Sequence, residues 1–485
     1  MPTTRKHDTT VSSTEGRRRA GGQLESQFAD TVESQPEILA RHCTEAGLIE
    51  KAAGLWGKAG QRSQAGSALA EAAVQLTRAL DQISALPGTP TLRREQIKLQ
   101  VALITPLIHV RGYAAPETKA AAEQARLLIE RAEARGEPPE DPLLLFSVLF
   151  GFWAANFNAF NGDLVVELAT QFLELARQQQ ATAPLMIGHR LMGMSLLMTG
   201  DIVKGRAHLD RATALYDPLE HRQLATRFGQ DVGVTVKSFR SVALWLLGYP
   251  EAAIADTNDA LKHARETGDA ASLMLALGWG LVANLHCGDY ATADALADEL
   301  FALAREKGSL IWKAAMTTHG CVMAVSGRVS DAVQMITSGA AAWRSIGSTI
   351  ALPMWLTYLA RAYAELDQFD DAWRYIHEVT TAAETTKETW YEAEIQRTAG
   401  ELALISPEPD AAKAEVYFER ALAVAREQQA KSWELRAAVS MARLWRDQGK
   451  GQQAHDLLAP VHGWFTEGFD TLDLKEAKGL LDQLT

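Results

Sequence analysis

Apolar positions along this 485-residue chain recur at helical intervals. Leu277, Leu281 and Leu285 fall at i, i+4 and i+8 on one stripe, the period of an α-helix with one buried face. Stretches of this kind are punctuated by a recurring element: Gly, any residue, a mostly apolar residue, two more, then Ala. It occurs as Gly47/Ile49/Ala52, Gly248/Pro250/Ala253, Gly288/Tyr290/Ala293, Gly327/Val329/Ala332 and Gly449/Gly451/Ala454. Asp367/Phe369/Ala372 keeps the frame with Asp for Gly, Pro409/Ala411/Ala414 is a diverged copy, and Gly200 with Gly205 carries Gly in place of Ala. The turn positions 248, 288, 327, 367, 409 and 449 are separated by 39 to 42 residues. A second ladder runs out of phase: Ala264-Arg265-Glu266-Thr267-Gly268 recurs as Ala304-Arg305-Glu306-Lys307-Gly308, and more loosely at Gly347.

Two interleaved ladders predict a helical hairpin as the repeating unit. The first Gly ends helix A in a left-handed conformation that Gly adopts at little cost, and Asn or Asp less readily. The small Ala opens helix B where the two helices cross closely, and the second Gly ends helix B. A single hairpin cannot bury its apolar face, so each must stack on the next and wind into a superhelix. Before residue 200 the spacing is less even, and Pro87-Gly88-Thr89-Pro90 and Gly136-Glu137-Pro138-Pro139 mark longer loops.

Residues 26–485 resemble tetratricopeptide repeats. The copy nearest that signature is Asp367-Gln368-Phe369-Asp370-Asp371-Ala372, preceded by Ala360 and Tyr363. The period exceeds the ~34 residues usual there, so each helix is expected to be about a turn longer. The resemblance implies an all-α, right-handed superhelical solenoid of about ten to eleven hairpins, following a disordered tail over residues 1–25. It also implies binding on a concave face lined by A helices, where a protein or peptide segment is the expected partner. Counting back from each turn, Phe152, Asn156, Arg190, Ser238, Thr317, Arg361, Arg436 and Arg443 are the groove-facing candidates. Arg436, Arg443 and Arg446 form a basic stripe at i, i+7 and i+10, suited either to an acidic partner or to acidic surface elsewhere in the chain.

The stretch Ser34–Ser63, SQPEILARHCTEAGLIEKAAGLWGKAGQRS, is similar to the junction that opens the repeat region of large bacterial signalling proteins. Those carry a class III nucleotide cyclase domain and a regulatory P-loop ATPase ahead of the repeats. Pro36, Glu37, Leu39, Ala40, His42, Glu45, Ala46, Gly47, Ala52, Trp56 and Lys58 through Arg62 match, while Cys43 departs at an aromatic site. The resemblance implies a regulatory arm, with a cyclase or ATPase as a possible partner. It supplies no catalytic residue.

Composition agrees. Ala and Leu are abundant and alternating Val, Ile and Thr are scarce, favouring helix over sheet. A net charge of -12 argues against nucleic acid, which needs a basic face. Cys43, Cys287 and Cys321 lie far apart, as buried thiols of a reducing compartment would. The apolar run Pro142–Ala155 is short for a membrane span, so a cytoplasmic protein without membrane contact is expected. Gly57-Lys58 has neither flank of a phosphate-binding loop, and no zinc-spaced His/Cys set occurs; no catalytic residue, cofactor or metal is expected. Trp153, Trp245, Trp279, Trp312, Trp355, Trp390 and Trp433 fall near successive A helices, where seam-filling is the simpler role and an aromatic ligand cage the sharper one. Three readings remain open: a protein-interaction solenoid in signalling, a module that senses a small molecule, or the repeat fragment of an adenylate cyclase whose N-terminal domains are missing.

Overall fold

The computed structural model describes residues 35–112, 115–137, 141–310 and 312–484, and every regular element among them is helical. The expected tail over residues 1–25 lies outside the described residues. Two compact units divide within one helix, between Gly151 and Phe152, with residues 112–115 belonging to the second.

The first unit contains α1 (Pro36–Glu45), α2 (Ile49–Ala65), α3 (Leu69–Ser84), α4 (Pro90–Arg111) and α5 (Pro116–Glu133). Its small residues are packing requirements. A Cβ added to Gly60 of α2 would lie 2.6 Å from Leu76 Cγ on α3. Trp56 is buried and donates its indole N–H to Thr44 Oγ1 at 3.1 Å, tying α2 to the end of α1. Gly57-Lys58 therefore sits mid-helix. The dividing helix is α6 (Leu143–Asn158).

The second unit continues as α7 (Gly162–Gln179), α8 (Thr182–Met198), α9 (Ile202–Leu215), α10 (Val232–Leu246), α11 (Pro250–Thr267), α12 (Ala270–Cys287), α13 (Tyr290–Glu306) and α14 (Trp312–Val325). It closes with α15 (Val329–Arg344), α16 (Leu352–Glu365), α17 (Phe369–Thr386), α18 (Glu392–Ile405), α19 (Ala411–Glu427), α20 (Lys431–Asp447), α21 (Gly451–His462) and α22 (Leu472–Leu484). Even-numbered helices are the A helices and odd-numbered ones the B helices. The turn residues of the first ladder take positive φ: +89° at Gly248, +82° at Gly288, +81° at Gly327, +58° at Asp367 and +77° at Gly449. The Ala five residues after the turn is fully buried at 253, 293, 332, 372, 414 and 454. Where Gly205 replaces it, a Cβ would stand 2.8 Å from the backbone nitrogen of Leu197, so α8 and α9 cross too closely even for Ala. The long interval between Gly200 and Gly248 holds two short helical turns, Pro218–His221 and Ala225–Phe228, ahead of α10.

The A helices line the inside of the winding, and their last carbonyls meet chain 150 to 192 residues further on. Asn158 O, at the end of α6, accepts from Thr349 N (2.8 Å) and Ile350 N (3.1 Å), just ahead of α16. Met198 O, at the end of α8, accepts from Thr389 N (3.1 Å) and Trp390 N (3.3 Å), just ahead of α18. Trp245 O in α10 accepts from Ser432 Oγ in α20, and His286 O in α12 accepts from Arg436 Nη2 at 2.9 Å. One turn thus takes about five hairpins, the α12–α20 contact reaching across four, and each turn caps the helix ends of the one before. Tryptophans fill the seams with their N–H groups satisfied: Trp153 to Ser195 Oγ, Trp355 to Thr318 Oγ1 and Trp433 to Trp390 O, at 2.9 to 3.0 Å. Because A helices are covered by neighbours in their own turn and the next, α12 is predominantly apolar along its 18 residues and mostly buried, with Ser272, Asn284 and His286 as its polar members.

Glu388, 1% exposed, braces one seam by accepting from Ala351 N (2.8 Å) and Trp390 Nε1 (3.1 Å). Burial pushes its carboxyl up to about 8, against the pull of those two donors. The folded chain therefore keeps a proton that the unfolded chain releases above its ordinary value of 4.5. Stability from this group is complete below that value and falls as pH rises through about 8. Glu388→Gln keeps the accepting oxygen and cannot ionise. Its melting temperature is expected to gain on the natural chain steadily from pH 5 to pH 8; parallel curves would show that Glu388 ionises freely.

The turn glycines give a second measurement. At Gly327 nothing lies near an added Cβ, whereas at Gly248 it would meet Trp464 at 2.5 Å and Lys431 Cβ at 2.9 Å, both from the following turn. Gly327→Ala should cost about 1 kcal/mol through positive φ alone, and Gly248→Ala clearly more. Equal urea midpoints for the two variants would remove the inter-turn contact at Gly248.

Candidate binding cavity

Where the last turns of α16, α18 and α20 come together, they leave a cavity of about 360 Å3, with α22 along one side. Arg361 and Arg443 each stand six residues before a turn residue, at 367 and 449, and so project from equivalent frames of α16 and α20. Arg397 enters from α18 and Arg436 from one helical repeat earlier on α20. The cavity thus collects four guanidinium groups, with Tyr290, Tyr358 and Ser440 among its other polar walls.

Three of these cations are answered. Arg397 forks onto Glu394 (2.7 and 2.8 Å) and reaches Glu401 at 3.0 Å. Arg436 bonds Asp473 of α22 at 2.8 Å and lies over the Trp245 and Trp433 rings at 5.1 and 5.2 Å. Arg443 pairs with Glu476, also of α22. Arg361 lies 5.8 Å from the Tyr358 ring centre, half-buried, with no hydrogen bond or ion pair among the described residues. Burial works against ionised Glu394, yet Arg397, with Arg436 and Arg361 behind it, holds that carboxyl at about 2. For Asp473 burial prevails over the pull of Arg436, and its carboxyl is raised. Burial likewise raises the Tyr358 phenol. Among the described residues no cluster of three or more His, Cys, Asp or Glu could hold a metal ion.

The structure therefore brings Arg361, Arg436 and Arg443 together and adds Arg397, which the sequence analysis did not single out; its signal was Glu394-x-x-Arg397, a pair on one helix face. Three other candidates do not face an open groove. Arg190 is 1% exposed and holds the end of the insertion before α10, donating to Phe228 O (3.3 Å) and Gln230 Oε1 (2.9 Å). Ser238 is 2% exposed and bonds back to Val234 O, while Thr317 is fully buried against Gly339 and bonds Lys313 O. Arg190 is closed in by the insertion ahead of α10 and Thr317 by Gly339 of its own hairpin's B helix, so these frames do not open on a groove. Phe152 and Asn156 of α6 are half-buried outside this cavity, with Asn156 Nδ2 donating to Phe152 O at 2.8 Å. The basic stripe is met within the chain, Arg436, Arg443 and Arg446 facing Asp473, Glu476 and Gln483 of α22 in order.

No family model matches the chain. A curated relative, an uncharacterized protein of Rhizobium meliloti (strain 1021), is 24% identical over 370 residues, which are 74% of this chain and 34% of that protein's length. This chain thus spans about a third of that relative. Among solved structures, the Rap protein complexed with competence and sporulation factor aligns with a TM-score of 0.55 at 11% identity, over 79% of this chain and 99% of its own. The Cut9–Hcn1 hetero-tetramer of the APC/C aligns at 0.49 and 14% identity, over 97% and 93% of the two chains. The fold is a tetratricopeptide-like helical solenoid.

Removing one partner of a buried pair strands the other. Arg397→Met should cost roughly 3–5 kcal/mol at pH 7 by leaving ionised Glu394 without its hydrogen-bonded partner and with only the more distant Arg436, at 3.9 Å. Glu394 is held below its ordinary 4.5, so in the natural chain its contribution is present above that value and lost as pH falls toward about 2. The deficit of the variant should therefore shrink on acidification below pH 4.5. A deficit independent of pH would mean that packing, and not the charge of Glu394, is what Arg397 supplies.

Proposed function

We propose that this chain is a non-catalytic regulatory solenoid that captures a short carboxylate-bearing segment, such as a peptide or protein C-terminus, in the cavity at the ends of α16, α18 and α20. The observation that carries this reading is Arg361, a half-buried guanidinium with no partnered carboxylate among the described residues, in a cavity where the neighbouring cations are answered. Guanidinium groups bind carboxylates through paired, charge-assisted hydrogen bonds. The size favours a short ligand, since about 360 Å3 is room for a few residues. For the same reason a small-molecule carboxylate is the second reading, with this chain as a sensing module.

The wider setting we infer is the signalling arm of a bacterial cyclase- or ATPase-type protein working in the cytoplasm. It is supported by the Ser34–Ser63 stretch and by a bacterial relative of which this chain matches 34%. The Rap protein, whose fold is similar, was solved holding a competence and sporulation factor, and that supports ligand capture by a solenoid of this kind.

Calorimetric titration with a pool of short peptides, each made with a free and an amidated C-terminus, tests the cavity. Free-carboxylate forms should bind at least tenfold more tightly, about 1.4 kcal/mol. Arg361→Ala with Arg443→Ala should abolish that preference while the helical signal stays intact. Small carboxylates that bind while peptides do not would select the sensing reading. Binding that ignores both the C-terminal group and the double substitution would sink the cavity as the site.

A further inference from the structure

A second, separate cleft lies on the outside of the seam, where the start of α9 and the α10–α11 turn meet the α19–α20 turn and the residues after α21. It measures about 460 Å3 and is walled by Val203, Arg206, Tyr249, Arg426, Lys431 and Trp464 among others. Two of its walls are large exposed hydrophobics, Val203 at 43% and Trp464 at 37%. Three are cations, and no carboxylate lines it, in a chain whose net charge is -12.

The cations are only partly answered. Arg426 and Lys431 share one carboxylate, Glu434, at 2.9 and 2.6 Å. Arg206 lies 3.6 Å from Asp210, which also serves Arg240 at 3.1 Å. Arg206 and Lys431 lean over aromatic rings, 5.3 Å from Tyr249 and 5.6 Å from Trp464, so those ring faces are taken by the chain's own cations. That argues against a planar base stacking there. The apolar edge is held in place: Trp464 packs on Gly248, where any Cβ would meet it at 2.5 Å, and edge-on to Tyr249 at 5.6 Å.

We propose that this cleft docks an acidic segment of a partner protein carrying one bulky apolar residue. The carboxylates would meet Arg206, Arg426 and Lys431, and the apolar side chain would cover Val203 and the exposed edge of Trp464. Lining residues at 203–206 and 247–249 belong to one turn of the winding, and those at 426–431 and 464 to the next. An occupant therefore contacts both turns and favours the wound state over any in which the seam is open.

Phage-displayed dodecapeptides tests this on the full chain, using one library with Asp and Glu around a single apolar position and a matched library with Asn and Gln. The acidic library should enrich at least tenfold over its neutral counterpart. The selected peptide, made synthetically, should raise the melting temperature by several degrees. It should lose at least tenfold in affinity for Arg206→Glu/Arg426→Glu and, separately, for Trp464→Ser, each checked for an unchanged helical signal. Arg361→Ala/Arg443→Ala should bind it normally, which separates this site from the cavity. No enrichment would overturn the proposal, as would a peptide whose binding survives both cleft variants. Equal affinity for an oligoadenylate or for a polyaspartate without the apolar residue would overturn it too, reducing the cleft to a general polyanion surface.

Discussion

The constraint on which the second unit depends is the disposal of the last carbonyls of its A helices. A helix leaves C-terminal acceptors without partners of its own, and inside a packed winding no water reaches them. Here Asn158, Met198 and Trp245 present those oxygens to chain that arrives five hairpins later, and His286 to chain four hairpins later. The donors are a loop N–H pair twice, then a serine hydroxyl, then a guanidinium. Hairpin length, turn geometry and bulky seam residues must all bring a donor back to the same height. A solenoid stacked only on nearest neighbours would tolerate drift in period; one that closes on its previous turn does not, which accounts for spacing held to 39 to 42 residues from Gly248 onward.

That closure also explains which parts of the chain were legible beforehand. The hairpins were, because local rules make them: positive φ at Gly248, Gly288, Gly327 and Gly449, and a buried Ala where each pair crosses. The burial of Arg190, against the insertion that ends at Gln230, and of Thr317, against Gly339 of its own hairpin, was not legible. What the repeat pattern does not carry is how much space remains inside, since that depends on pitch, a sum of small rotations over five hairpins. A donor such as Thr349 N and its acceptor Asn158 O lie 191 positions apart, with no motif at either end. The partners of the arginine stripe were hidden for a related reason. Asp473 and Glu476 sit on α22, beyond the last copy of the ladder, where no frame existed to say which face they show.

Burying charge at the end of the winding is costly unless each charge is answered. Glu394, Arg397, Arg436 and Asp473 answer one another across α18, α20 and α22, so the last helix is fixed in register by ion pairs as well as by Leu474, Ala477 and Leu480. Glu388 takes the other course: with no cation paired to it among the described residues, burial makes it hold its proton. The same chain thus holds Glu394, forked by Arg397, ionised and Glu388 neutral, while Asp473, bonded to Arg436 yet raised by burial, lies between them.

Arg361 belongs to neither scheme, and helix polarity shows why it can persist. It lies in the closing stretch of α16, and the ends of α18 and α20 converge beside it, so the partial negative charge of several helix C-termini collects around the cavity. That field is worth a fraction of a full carboxylate, roughly half a unit charge per helix at most. It is enough to make a half-buried guanidinium tolerable and too diffuse to replace a directed hydrogen bond. If Arg361 takes a carboxylate, as proposed, that ligand would gain the fork geometry that the helix ends cannot offer, while meeting repulsion from those same ends and from Glu365 and Glu401 in the walls. Selectivity follows from this opposition. An anion of spread or multiple charge meets the repulsion from every wall, whereas a single carboxylate with an uncharged or cationic remainder can place its charge at Arg361 and leave the rest beside the acids.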